Sequence, residues 1–117
     1  MRIAAESSDT AATAAIGFFV KTGARDETAK LMGVSHFLEH MMFKGTDSMS
    51  AEGVDLAFDT LGAEHNAFTS AEMTAFWGAG LPEVLDDIHT ILADILRPSL
   101  RQKDFDDEKK VIIEEIA

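Results

Sequence analysis

The sequence predicts an α+β fold, a largely antiparallel sheet backed by helices. Two patterns carry this expectation. Helix signals recur around residues 34–43, 48–61, 82–97 and 99–117. Two β-rich stretches, 63–70 and 73–79, flank a short polar turn and read as a hairpin. With an earlier apolar strand the order becomes β, α, α, β, β, α, α, and 117 residues fit one domain.

Residues 16–20, Ile-Gly-Phe-Phe-Val, form a short apolar run that stops at Thr22-Gly23, as a buried strand does. The polar stretch Arg25 to Lys30 reads as a loop. Helical periodicity then runs from Val34 to Phe43, with Lys44-Gly45 as its stop. Ser48 or Ser50 caps a second helix that ends near Leu61-Gly62. Phe68, Thr69, Thr74, Phe76 and Trp77 favour the two strands that follow, turning at Ser70-Ala71-Glu72. Pro82 suits the first turn of a third helix, with Glu83 at the positive end of its dipole. Its apolar stripe is Val84, Leu85, Ile88, Ile91, Leu92 and Ile95, and Pro98 ends it. Ser99-Leu100-Arg101-Gln102 fits a capping box for a fourth helix that runs to the last residue.

Composition narrows the function classes. A net charge of −11 argues against a nucleic-acid partner, because phosphate binding needs a basic patch. The acidic surface serves solubility first and permits a cation or a basic peptide. Without cysteine there is neither a disulfide nor a thiolate metal site. No apolar run is long enough to span a membrane. Met1-Arg2-Ile3-Ala4-Ala5 lacks the basic and apolar regions of a signal peptide. The expected compartment is therefore the cytoplasm, or the mitochondrial matrix if a transit segment has been removed.

His36-Phe37-Leu38-Glu39-His40 carries the strongest chemical signal. Residues four apart lie on one side of a helix, so two imidazoles can face one ion, with Glu39 beside them. At about 100° per residue, His36, Glu39, His40 and Phe43 share one arc, opposite Val34, Phe37, Leu38, Met41 and Met42. The helix is expected to bury that apolar back and present the polar front. Imidazole ligation with an open position suits zinc.

A catalytic zinc site needs a third protein ligand. His65 and His89 qualify by type. His89, between acidic neighbours and off the third helix's stripe, reads as a solvated surface histidine, and His65, on a strand, as structural. On the fourth helix Phe105, Val111, Ile112 and Ile116 mark an apolar side that also holds Glu108 and Glu115, while Glu114 faces away with Asp107 and Lys110. A carboxylate in a buried stripe needs a partner, and a metal ion is one. Periodicity selects Glu115 over Glu114. It leaves open whether Glu108 and Glu115 meet a cation or reach water at the stripe's edge.

Three motifs together resemble one family. His36 to Thr46 resembles the signature H-F-L-E-H-M-x-F-K-G-T of the pitrilysin–insulinase–mitochondrial processing peptidase family, inverted zincins with H-x-x-E-H. Gly62 to Thr69 resembles its G-x-x-x-N-A-x-T strand, and Val111 to Ile116 its distal glutamate helix. The resemblance implies a zinc metalloendopeptidase with one Zn2+ per chain, ligated by His36, His40 and Glu115. It implies Glu39 as general base, Glu108 as a glutamate supporting the ligands, and Asn66 and Ala67 on an edge strand that pairs with an extended peptide substrate. It also implies that residues 1–117 are the N-terminal zinc-binding domain, incomplete at its C-terminus, of a pitrilysin-type fold. Members run to several hundred residues in two clamshell halves, so a C-terminal half or a partner subunit is the expected partner. Without it, Glu115 lies in a fraying last turn, zinc affinity is expected to fall, and a sheet edge is left unpaired. Two rivals remain: a catalytically inactive fragment that binds zinc or a partner chain, and an acidic interaction domain without metal.

Overall fold

A computed structural model describes all 117 residues. The elements are β1 (Ala14–Val20), α1 (Val34–Met42), α2 (Ala51–Thr60), β2 (Glu64–Thr69), β3 (Thr74–Gly80), α3 (Leu85–Ile95) and α4 (Gln102–Ile116). The expected α+β class and element order are both present. The sheet has three strands in the order β1-β3-β2, and both pairings are antiparallel. β2 therefore lies at an edge.

The hairpin closes through Ser70. Its backbone N–H donates to the Met73 carbonyl at 2.8 Å, and its hydroxyl accepts from the Met73 N–H at 3.1 Å. Ser50 caps α2, accepting from the Gly53 N–H at 3.1 Å. The core forms where α2 and α3 cover one face of the sheet. Val54 and Phe58 from α2, Phe76 from β3, and Ile88, Leu92 and Ile95 from α3 are all buried. Each such side chain contributes about 1.5–3 kcal/mol through removal from water. α1 lies beside this core, packed against β2 and α4.

Four local expectations need correction. The stretch Arg25 to Lys30 is not plain loop, because short 3-10 turns occupy Ala24–Asp26 and Ala29–Leu31. The capping box at Ser99 does not form: Arg101 is the N-cap of α4 and no side chain caps it. Ser99 instead donates its backbone N–H and its hydroxyl to the Gly45 carbonyl, at 3.1 and 3.2 Å. That tie holds the linker to the loop after α1 and draws the hydroxyl away from the helix start. The apolar back of α1 is not buried as a unit. Only Met41 is buried, while Val34 and Leu38 are exposed, because α1 turns its histidine side toward β2 and α4. On α4, likewise, only Glu108 and Ile112 are buried, and Phe105, Val111 and Ile116 remain exposed.

Gly78 lets α3 approach the sheet. A Cβ there would stand 2.6 Å from Ile88 Cγ2, a branch close to the backbone inside a filled core. Gly78→Ala is expected to destabilise the fold by about 1–3 kcal/mol, as overpacking does. Urea unfolding checks this, and an unchanged midpoint would show that α3 and β3 have slack.

Candidate metal centre

α1 delivers two imidazoles from successive turns. His36 Nε2 and His40 Nε2 lie 3.0 Å apart. Glu115, in the last turn of α4, places Oε2 3.8 Å from His36 Nε2 and 3.7 Å from His40 Nε2. One donor atom from each residue fits within 4.8 Å of the others. A tetrahedral zinc ion with bonds of about 2.0–2.2 Å separates its ligand atoms by about 3.3–3.6 Å, so the three donors suit that ion in spacing and chemistry. Glu115 reaches the pair although its side chain is half exposed; the buried carboxylate of the stripe is Glu108. Glu114 is exposed and stands outside the cluster.

Glu108 lies behind His40. Its Oε1 is 2.7 Å from His40 Nδ1 and its Oε2 is 2.6 Å from Lys44 Nζ. Burial pushes the Glu108 carboxyl up. Hydrogen bonds from Lys44 and His40, with the charges of both, outweigh burial and hold it below its ordinary value. Glu39, beside the histidines, accepts a hydrogen bond at Oε2 from the Thr69 hydroxyl on β2. Asn66 is exposed on β2, and its Oδ1 accepts from the Ala67 N–H at 2.8 Å. A cavity of about 230 Å³ is lined by Glu39, His40, Phe43, Lys44, Asn66, Ala67 and Glu108. One histidine of the cluster, the acid beside it and the strand edge thus share one cleft.

The other two histidines stay apart. His65 stacks on Phe58, ring centroids 4.0 Å apart, on the helix-facing side of β2. His89 is exposed and stacks on Phe18 at 5.7 Å.

Three residues outside the expected site support the cluster. Thr69 holds Glu39, and Lys44 meets Glu108. The spacing His36, His40, Lys44 repeats every four residues and places Lys44 on the histidine side, a signal its reading as a helix stop obscured. Glu27 has no local signature. Its carboxylate accepts from the N–H groups of Gly33 at 2.7 Å and Ser35 at 2.8 Å, satisfying orphan donors at the start of α1. Gly33 enters the helix at φ +91°, where a Cβ is disfavoured.

Residues 2–117 match the family model described as Insulinase (Peptidase family M16). The chain belongs to the insulinase family of peptidases. This insulinase-family chain is 40% identical over 117 residues to an uncharacterized zinc protease, YmxG, of Bacillus subtilis, covering 99% of its own length and 29% of that protein. It is 43% identical over 116 residues to the mitochondrial-processing peptidase subunit beta of Caenorhabditis elegans, covering 98% and 25%. It is 41% identical over 115 residues to the ubiquinol-cytochrome-c reductase complex core protein I of Euglena gracilis, covering 97% and 23%. A crystal structure of a protease from Helicobacter pylori superposes with a TM-score of 0.86 at 27% identity, over 90% of this chain and 26% of that one. The chain thus spans about a quarter of the length of these relatives. No helix in it is long and apolar enough to cross a membrane.

The backbone hydrogen bonds from Gly33 and Ser35 hold the Glu27 carboxyl below its ordinary value of 4.5. Its contribution to stability is complete above that value and drains away as pH falls through the lower folded value. Glu27→Gln is therefore expected to melt below the parent at neutral pH, with the gap closing in acid. Thermal melts across the acid range test this, and a gap unchanged into strong acid would remove Glu27 from the account of α1.

Proposed function

We propose that residues 1–117 form the N-terminal part of a zinc metalloendopeptidase, with His36, His40 and Glu115 as ligands of one Zn2+ and Glu39 as general base. The convergence of two imidazole nitrogens and one carboxylate oxygen from separate helices carries this reading. The zinc proteases among its relatives support it. A bound zinc ion supplies Lewis acidity, lowering the pKa of water toward about 7 and polarising a carbonyl.

The chain's own residues do the rest. Glu39 takes the proton of the attacking water and returns it to the leaving amine nitrogen. Thr69 holds one oxygen of Glu39, whose side chain lines the cleft. Glu108 accepts from His40 Nδ1–H and so leaves Nε2 with its lone pair toward the cluster. The free edge of β2 offers backbone groups to an extended peptide. There the peptide's carbonyl displaces the Asn66 amide from the Ala67 N–H.

A second reading has its own support. The chain spans a quarter of its relatives, and one of those is named as a core protein of the ubiquinol-cytochrome-c reductase complex. On this reading it binds zinc or a partner chain without hydrolysis. The peptidase reading takes the remaining chain, or a partner subunit, as supplier of further substrate contacts. Relatives of both bacterial and mitochondrial naming accommodate cytoplasm and mitochondrial matrix alike.

Two substitutions separate the roles. Glu39→Gln is expected to keep stoichiometric zinc while peptide cleavage falls by about 10²–10⁴-fold. Glu115→Gln is expected to lose zinc on dialysis. Metal analysis and cleavage of a fluorogenic peptide read both. Zinc retained by the Glu115 variant as tightly as by the parent contradicts the ligand assignment. A parent that holds zinc and cleaves nothing favours the second reading.

A further inference from the structure

Lys44 lies just beyond α1, outside the donor cluster, yet it touches the group behind His40. Its Nζ is 2.6 Å from Glu108 Oε2, and the other oxygen of the same carboxylate is 2.7 Å from His40 Nδ1. The Glu108 side chain is only 5% exposed, so its two oxygens depend chiefly on these two donors. An ionised carboxylate accepts hydrogen bonds and donates none. The hydrogen of neutral His40 therefore sits on Nδ1, and the Nε2 lone pair points to where His36 Nε2 and Glu115 Oε2 converge. That state lasts only while Glu108 stays inside. Without Lys44, Oε2 would be a buried charged oxygen with no donor, and the carboxylate would turn toward water. His40 Nδ1 would then lose its acceptor, freeing the imidazole to carry its hydrogen on Nε2, where it blocks the cluster.

We propose that Lys44 is a positioning residue, whose ammonium pins Glu108 against His40 and thereby fixes the imidazole with Nε2 free. The inference deepens the proposed zinc site and takes its functional meaning from it, although the tautomer itself needs no metal. The proposal also sets a sign. A cation near a metal site repels the ion, so simple electrostatics predicts tighter zinc binding once Lys44 is neutralised. Positioning predicts the reverse.

Two-bond 1H–15N spectra of the metal-free, 15N-labelled chain, followed toward alkaline pH until the imidazole pattern stops changing, read the tautomer. The parent and Lys44→Arg are expected to show His40 protonated at Nδ1, and Lys44→Met to lose that pattern while keeping the backbone shifts of the α2–α3 core. Zinc competition with a chelator is the second measurement. Lys44→Met is expected to weaken binding about tenfold, the lower end of the effect of an outer hydrogen-bond partner, with Lys44→Arg restoring it. A parent His40 protonated at Nε2 overturns the proposal. So does Lys44→Met with the parent tautomer, or with zinc bound as tightly or more tightly. The Nδ1–H pattern in a chain that binds no zinc would leave the role of Lys44 standing and sink the peptidase reading instead.

Discussion

Glu108 leaves water only because His40 and Lys44 meet its two oxygens, at 2.7 and 2.6 Å. A buried carboxylate without donors is costly, so this bridge constrains both helices that make it. It draws α4 across the end of α1 and sets the depth at which α4 lies. Glu115, two turns further along α4, reaches the histidines as a consequence. The position of the third donor thus depends on a contact made seven residues earlier in the chain.

The start of α4 is held as firmly as its middle. Thr46, almost fully buried, donates its hydroxyl to Asp94 Oδ2 on α3 at 2.8 Å, and its carbonyl accepts from Arg101 at 2.8 Å. Ser48 donates to the same Asp94 oxygen at 2.9 Å, and Ser99 ties the linker to Gly45. The loop after α1 therefore joins α1, α3 and the approach to α4. Since α3 is anchored in the core through Ile88, Leu92 and Ile95, the histidine helix and the glutamate helix share one rigid reference. This gives the Gly45-Thr46 pair a physical task beyond ending a helix.

The sheet's far face and outer edges are open. Phe19 and Phe68 flank Ala75 in register on the face away from the helices, and both are exposed. An exposed edge strand beside a cleft suits a site that recruits extended chain by backbone pairing, and it is also open to self-association.

Much of this was legible in the sequence because it depends on short-range periodicity. The α+β order, the hairpin, the cap at Ser50, and the shared side of His36, Glu39 and His40 follow from spacings of a few residues, where helix and strand geometry act directly. The choice of Glu115 over Glu114 also came from local phase. Tertiary structure alone decided the rest. Glu27 caps α1 from six and eight residues away, Lys44 meets a carboxylate 64 positions later, and Ser99 abandons its capping box for the Gly45 carbonyl. The turning of α1's histidine side toward β2 and α4, with Val34 and Leu38 left exposed, is of the same kind. Hydrogen bonds and burial between distant segments depend on which surfaces the packing brings together, and no local periodicity encodes that.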